Sequence, residues 1–165
     1  MRMELIQPFL NSADAVLAQG LESAVSIDNL TMDEEAYRRK GIAAEISLTG
    51  DVEGRIIFDA DEKTAASFAS RLAGMDLASS DALVCEAVCE LANQSIGNAV
   101  TVLNDQGFHF RVHPPTIHTS EQGAKSSEDT EAVVLCFSTE RGKVYMNVAL
   151  RYHDCSLEQA AAAGR

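Results

Sequence analysis

Polar and small side chains recur at helical spacing in the middle of the chain. Between residues 80 and 106 they lie four, three, four, four and three positions apart, so they share one narrow face of a helix: Glu86, Glu90, Asn93, Gly97, Thr101 and Asn104. We call this row the polar stripe. The carboxamide of Asn93 does not titrate, but it donates and accepts hydrogen bonds and can orient a water molecule. Glu90 can pair with a cation, so the two together favour docking and water positioning over general acid–base catalysis.

The ordinary solvent-facing side of a surface helix explains the same pattern. Two features weigh against that interpretation. The polar stripe contains no Lys or Arg, whereas a solvated helix face usually mixes both charges. It also places Gly97 in mid-helix, where glycine costs about 1 kcal/mol relative to alanine. A glycine at this position indicates that another backbone or side chain must come close.

The opposite half of this helix is apolar and is therefore predicted to face the core. Ser80 is the predicted cap, Asp81 lies in the first turn, and Gly107 closes the helix. The predicted core positions are Val84, Cys85, Val88, Cys89, Leu91, Ala92, Ile96, Ala99, Val100, Val102 and Leu103.

The rest of the chain supplies the elements that must position this helix. Periodicity and Gly, Pro and Asp signals predict a helix over Leu5–Leu17 that is stopped by Gly20. They predict two strands over Ile42–Leu48 and Arg55–Phe58, and then a short helix from Asp61 to Gly74. The last predicted element is a hairpin of Ala132–Phe137 with Val144–Tyr152. Residues 22–40 read as a loop, residues 108–119 as an extended segment interrupted by Pro114 and Pro115, and residues 119–131 as a mobile loop. Strands grouped between helices predict an α+β fold of two layers.

The length of 165 residues suits one domain, predicted over residues 1–155, followed by an Ala-rich tail at 156–165. The net charge of −12 disfavours nucleic acids and anionic membranes and favours a partner with a basic patch. The sequence shows neither a signal-like apolar run nor a membrane-length one, which predicts a cytoplasmic protein. Its four cysteines read as reduced thiols, with Cys85 and Cys89 in the core.

The run Cys-Glu-Leu-Ala-Asn-Gln-Ser-Ile-Gly-Asn at 89–98, followed by Pro-Pro-Thr-Ile at 114–117, resembles the CheX branch of the CheC/CheX/FliY phosphatases. The family motif is an acid or Ser, then Glu-x-x-Asn, then proline after about twenty residues, and Pro114 stands 21 positions after Asn93. The resemblance covers about residues 3–152 and contains one copy of the motif. It departs from the family at Glu86, where Asp or Ser is usual.

The resemblance implies a two-layer CheC-like fold, with an antiparallel or mixed sheet packed against long helices. It also implies a phosphatase for the phospho-aspartate of a CheY-like regulator, acting as a homodimer without a cofactor of its own, because the regulator carries the Mg²⁺. Asn93 would position the attacking water and Glu90 would bind a lysine of the regulator. The partner contacts would include Glu86, Gly97, Pro114 and Pro115.

Two other functions stay open from the sequence. A non-catalytic adaptor with the same fold would bind the regulator without dephosphorylating it. A metal-dependent hydrolase would use His109, His113 and His118, although their spacing matches no standard metal site.

Overall fold

The computed structural model describes residues 3–22, 24–31, 40–119, 133–153 and 163. In this part of the chain three helices accompany seven strands that form one antiparallel sheet. The elements are α1 (Met3–Leu21), β1 (Ser26–Thr31), β2 (Ile42–Gly50), β3 (Val52–Ala60), α2 (Glu62–Ala73), α3 (Ala82–Asp105), β4 (Phe110–Val112), β5 (Thr116–His118), β6 (Val133–Thr139) and β7 (Gly142–Tyr152).

The sheet order is β1-β6-β7-β3-β2, with β4 and β5 both pairing with the outer edge of β2. The predicted hairpin is confirmed, since β6 pairs with β7, and the two strands predicted within residues 42–58 pair with each other as β2 and β3. The turn between β2 and β3 centres on Asp51 and is shorter than the gap between the two predicted strands, because β3 runs through Gly54. Gly54 has a φ of 139°, and a side chain there would collide with the carbonyl oxygen of Ala149.

The core lies between the sheet and the three helices. Along the central strands every second side chain joins the same apolar cluster as the helices, for example Ile46 from β2, Ile56 from β3 and Met146 from β7. The cluster also contains Phe9 of α1 and Phe68 of α2. All three helices therefore cover one face of the sheet, which confirms the predicted two-layer α+β fold.

Helix α3 packs against α1, α2, β2 and β3. Its backbone is tied to α1 by the Ser12 hydroxyl, which donates to the carbonyl oxygen of Ser95 at 2.6 Å. Near the other end of α1, a Cβ on Gly20 would stand 3.8 Å from both Leu72 of α2 and Leu91 of α3. The position of α3 is thus fixed from both flanks and from the sheet below.

The short helix begins and ends as predicted. The Asp61 carboxylate accepts from the Thr64 amide at 2.7 Å, and Gly74 closes the helix with a φ of 69°. The long helix begins one residue later than predicted, because Asp81 rather than Ser80 is its cap. The Asp81 carboxylate accepts from the Leu83 amide at 2.9 Å, which Asp does as well as Ser.

Two predictions at the start of the chain were wrong. Helix α1 continues through Gly20 to Leu21, so this glycine does not stop it. Residues 22–40 are not entirely a loop, since β1 pairs along β6 at the edge of the sheet. The predicted loop at 119–131 lies outside the described residues except for Thr119, and so does the predicted tail at 156–165 except for Ala163. No helix in the described part of the chain is long and apolar enough to span a membrane.

The contact between Ser12 and Ser95 gives a stability test for the packing of α3 against α1. The Ser95 hydroxyl is 1% exposed and finds no hydrogen-bond partner among the described residues. Because an unpaired buried hydroxyl is unfavourable, we expect Ser95→Ala to raise the free energy of unfolding by about 1 kcal/mol. Ser12→Ala removes a formed hydrogen bond and should lower that free energy by about 0.5–1 kcal/mol.

Urea denaturation of both variants measures these changes against the wild type. The opposite order, with Ser95→Ala the more destabilised variant, would show that the Ser95 hydroxyl is paired.

Candidate functional site on helix α3

Helix α3 is a continuous element of 24 residues, about 36 Å long. Ser95 is buried although it was not predicted to be. The other buried positions confirm most of the predicted core face: Val84, Val88, Leu91, Ala92, Ile96, Ala99, Val100 and Leu103. Cys85 and Cys89 are half-buried rather than fully buried. Val102 was predicted to face the core but is 45% exposed. The helix is therefore anchored along one side and free along the other.

The whole polar stripe lies on the exposed side, from Glu86 near the start of the helix to Asn104 near its end. At its centre Glu90 and Asn93 project from the same face, three positions apart. The Nε2 amide of Gln94 donates to Oε1 of Glu90 at 2.6 Å. Among the described residues, the Asn93 side chain makes no hydrogen bond. Asn93 is thus available to a molecule outside the chain, while Glu90 is held from one side.

Gly97 lies one helical turn beyond Asn93 and leaves open space. A Cβ placed there would meet nothing within 4 Å, so no neighbour within the described residues requires a glycine. The Thr101 hydroxyl donates to the Gly97 carbonyl at 3.0 Å and so turns back toward its own helix. The helix backbone is consequently bare at Gly97, which is where an incoming partner could come closest to it.

A groove of about 520 Å³ runs beside the polar stripe, between α1 and α3. Asn98, Val102 and Gln106 line it from α3, and Glu4 and Asn11 line it from α1. Neither helix contains a Lys or Arg between its first and last residue. The two helices therefore present acidic and amide groups without basic ones, and they suit a positively charged partner.

Pro114 and Pro115 lie on a different element from the polar stripe. They form the connection between β4 and β5 on the outer edge of β2, where Pro114 is exposed and Pro115 is half-buried. The fixed φ of proline and its missing amide explain why the edge strand is split into two short pieces. The structure thus joins Glu86, Glu90, Asn93 and Gly97 on one face, and it puts the prolines on the sheet edge.

The three histidines of the segment that contains Pro114 and Pro115 each contact a different residue. His113 shares a hydrogen bond of 2.9 Å with the Thr49 hydroxyl, and His118 lies 3.5 Å from the Glu45 carboxylate. The backbone of His109 binds Asp51. Within the described ranges, no group of three or more His, Cys, Asp or Glu side chains is arranged to hold a metal ion.

The two cysteines of α3 lie on the flank of the polar stripe as free thiols. Burial raises the pKa of the Cys89 thiol, and the neighbouring Cys85 and Glu86 raise it further. Cys89 therefore stays protonated at neutral pH and is a poor nucleophile. We therefore interpret Cys89 as a packing residue.

Gln94 was missed as a site residue in the sequence. Its signal was present, because a Glu and a Gln four positions apart on a helix are spaced for a side-chain hydrogen bond. The exposure of Val102 was missed as well, since apolar character alone does not show which residues border a groove.

A family model described as "Chemotaxis phosphatase CheX" matches residues 42–138, more than half of the chain. A curated relative from Thermotoga maritima, "CheY-P phosphatase CheX", is 33% identical over 73 residues. That match covers 44% of this chain and 47% of the relative, so it spans about half of the relative's length.

Solved structures match over nearly the full chain. The CheX of a CheX–CheY–BeF₃–Mg²⁺ complex from Borrelia burgdorferi is 33% identical, with a TM-score of 0.77 over 91% of this chain and 99% of that one. A CheC-like protein from Shewanella gives a TM-score of 0.82 at 21% identity, over 92% of this chain and 99% of that one. The second match, below 25% identity, supports the fold alone.

The open space at Gly97 gives a stability test for the site. Because a methyl group there would meet no other atom and alanine favours the helix, we expect Gly97→Ala to raise the free energy of unfolding by about 0.5–1 kcal/mol. Thermal or urea unfolding of the isolated protein measures it. A less stable variant would show that Gly97 is packed within the chain, and the interpretation of an open docking point would fail.

Proposed function

The chain belongs to the CheX family of chemotaxis phosphatases, and on that basis we propose that it hydrolyses the phospho-aspartate of a CheY-like response regulator. The names of two relatives support this proposal: one is a CheY-P phosphatase, and the other is a CheX bound to CheY with BeF₃ and Mg²⁺. The exposed pair of Glu90 and Asn93 on the rigid helix α3 is the observation that carries it.

The proposed reaction asks little covalent chemistry of this chain. A water oxygen attacks phosphorus and the bond from phosphorus to the aspartyl oxygen breaks, so the aspartate regains its carboxylate. The phosphate leaves with the oxygen and both protons of the water, one of which it can release to solvent. Such a transfer is accelerated mainly by in-line positioning and charge stabilisation. We assign the positioning to Asn93, whose uncommitted amide can accept from the water or donate to it. The Mg²⁺ that balances the phosphoryl charge would be held by the regulator.

Glu90 is proposed to dock the partner through a lysine. An ion pair of this kind becomes stronger as the interface excludes water, and it fixes the register of the two surfaces. Glu86 lies one turn before Glu90 on the same exposed face and adds a second negative charge. Its longer side chain can serve the docking role for which the family usually has Asp or Ser.

Gly97 is proposed to admit the partner close to the helix backbone, beside Asn93. The absence of a side chain would let the phosphorylated loop approach without displacing the helix. Pro114 and Pro115 lie at the sheet edge and not on the polar stripe. Their contact with the partner stays a prediction. The homodimer, the cytoplasmic location and the single domain over residues 1–155 also stay predictions.

Substitution of Asn93 tests the proposed catalytic role. We expect Asn93→Ala to slow phosphate release from a phosphorylated receiver by roughly 10²-fold, the scale for loss of one preorganised polar group. Because the helix surface is otherwise unchanged, its affinity for a receiver activated with BeF₃ and Mg²⁺ should stay within about twofold, a change worth under 1 kcal/mol.

Asn98→Ala is the matched control, since Asn98 is exposed on the same helix but lines the groove beside α1. Its turnover should be close to that of the wild type. Equal turnover of Asn93→Ala and the wild type would contradict the mechanism. Tight binding of the receiver by the wild type without faster phosphate release would favour the adaptor function instead.

Gly97→Ala separates docking from stability. The added methyl group would stand between the helix and the partner, so we expect affinity for the activated receiver to fall by roughly threefold to tenfold, as overpacking of a close contact does. Isothermal titration of the variant against the wild type measures this. Unchanged affinity would show that the partner does not approach the helix at Gly97.

A further inference from the structure

We propose that Gln94 is a positioning residue, which holds the carboxylate of Glu90 in the direction from which the partner's ammonium group approaches. This inference rests on the proposed function and assigns a part to a residue outside the Glu-x-x-Asn pair. The geometry that carries it is the 2.6 Å hydrogen bond from Nε2 of Gln94 to Oε1 of Glu90. Both residues are exposed, so the bond is made on the surface that would meet the partner.

The bond leaves Glu90 able to bind a cation. It uses Oε1, and the second carboxylate oxygen has no side-chain donor among the described residues. A carboxylate accepts several hydrogen bonds at once, so an amide on one oxygen does not exclude an ammonium on the other. Gln94 therefore orients the acid without neutralising its charge.

The identity of the donor matters for the same reason. A Lys or Arg at position 94 would pair with Glu90 and compete with a cation from the partner. Helix α3 contains no basic residue anywhere along its length, so glutamine provides the donor one turn after Glu90. A neutral donor can fix the docking carboxylate of Glu90 and still leave its negative charge available to a lysine.

A fixed position of the Glu90 carboxylate should strengthen the binding of the partner. A free glutamate on a helix surface has several rotatable bonds, whose freedom is lost when the partner binds. A carboxylate already fixed by Gln94 loses less freedom, which strengthens association. The chemical step depends on Asn93 and should not change.

Removal of the amide from Gln94 gives the test. Gln94→Met keeps the length and helix preference of the side chain but cannot donate to Glu90. Gln7→Met is the matched control, because Gln7 donates to Asn11 at 2.8 Å with the same spacing of four, on the exposed side of α1. Each protein is titrated with a CheY-type receiver activated by BeF₃ and Mg²⁺, and its phosphate release is followed with the phosphorylated receiver.

We expect Gln94→Met to weaken receiver binding roughly threefold to tenfold, the scale of the conformational freedom that one side chain loses on binding, with kcat unchanged. Gln7→Met should bind like the wild type. A helix-stabilising role alone would leave both KM and kcat at wild-type values, so the change in KM distinguishes positioning from structure.

A second measurement examines the hydrogen bond in the isolated protein. The side-chain NH₂ signals of Gln94 in NMR spectra should move in Glu90→Met, because methionine has no oxygen to accept from the amide. They should stay in place in Glu86→Met, which removes the same charge one turn earlier. Gln94 signals that are the same in the wild type and in Glu90→Met would show that the bond is absent and would overturn the inference without any reference to phosphatase activity.

The remaining outcomes separate this inference from the proposed function. A wild-type protein that neither binds the receiver nor speeds phosphate release overturns the function, and the role of Gln94 falls with it. An active wild type whose Gln94→Met variant binds equally well overturns the inference alone. Tighter binding by Gln94→Met would show that the amide competes with the partner, which also overturns it.

Discussion

The division of helix α3 into a buried half and an exposed half is the constraint on which the site depends. Nine of its residues lie in the core, between α1 and α2 and against the sheet. A helix held in this way cannot rotate, so the Cα–Cβ bond of each exposed residue has a fixed direction. The packing cost of any rotation, which would bury Glu90 and Asn93 and expose Leu91 and Ile96, is far larger than one surface contact could repay.

That rigidity explains how so few groups could serve a demanding reaction. Asn93 has no partner in the described part of the chain, Glu90 has a single neutral donor, and Gly97 leaves the backbone open beside them. An uncommitted amide on a fixed backbone is what the proposed positioning of a water molecule by Asn93 requires. Helix α3 also has no basic residue, and the net charge of the chain is −12. Its exposed face therefore attracts a partner with a cationic surface.

The sequence predicted the two-layer fold and the face of α3 because both follow from periodicity, which is a local signal. The partial alternation in β2 and β3 was enough to predict strands, and the 3.6-residue period of α3 was strong enough to show which side of the helix faces the core. Strand β1 was missed because its place is set by pairing with the distant β6, and a short polar strand carries little pattern of its own. Val102 was misplaced because its exposure depends on the groove that it lines together with the first turns of α1. The bond from Gln94 required side-chain geometry.

The central claim is that the exposed stripe of α3 meets a phosphorylated receiver. Its most direct test is an NMR titration of the backbone amides of the isotopically labelled protein with a CheY-type receiver, in the presence and absence of BeF₃ and Mg²⁺. The account predicts that shifts concentrate on Glu86, Glu90, Asn93 and Gly97, and that they require BeF₃. Signals of the polar stripe that do not move, or shifts that are equal without BeF₃, would contradict it.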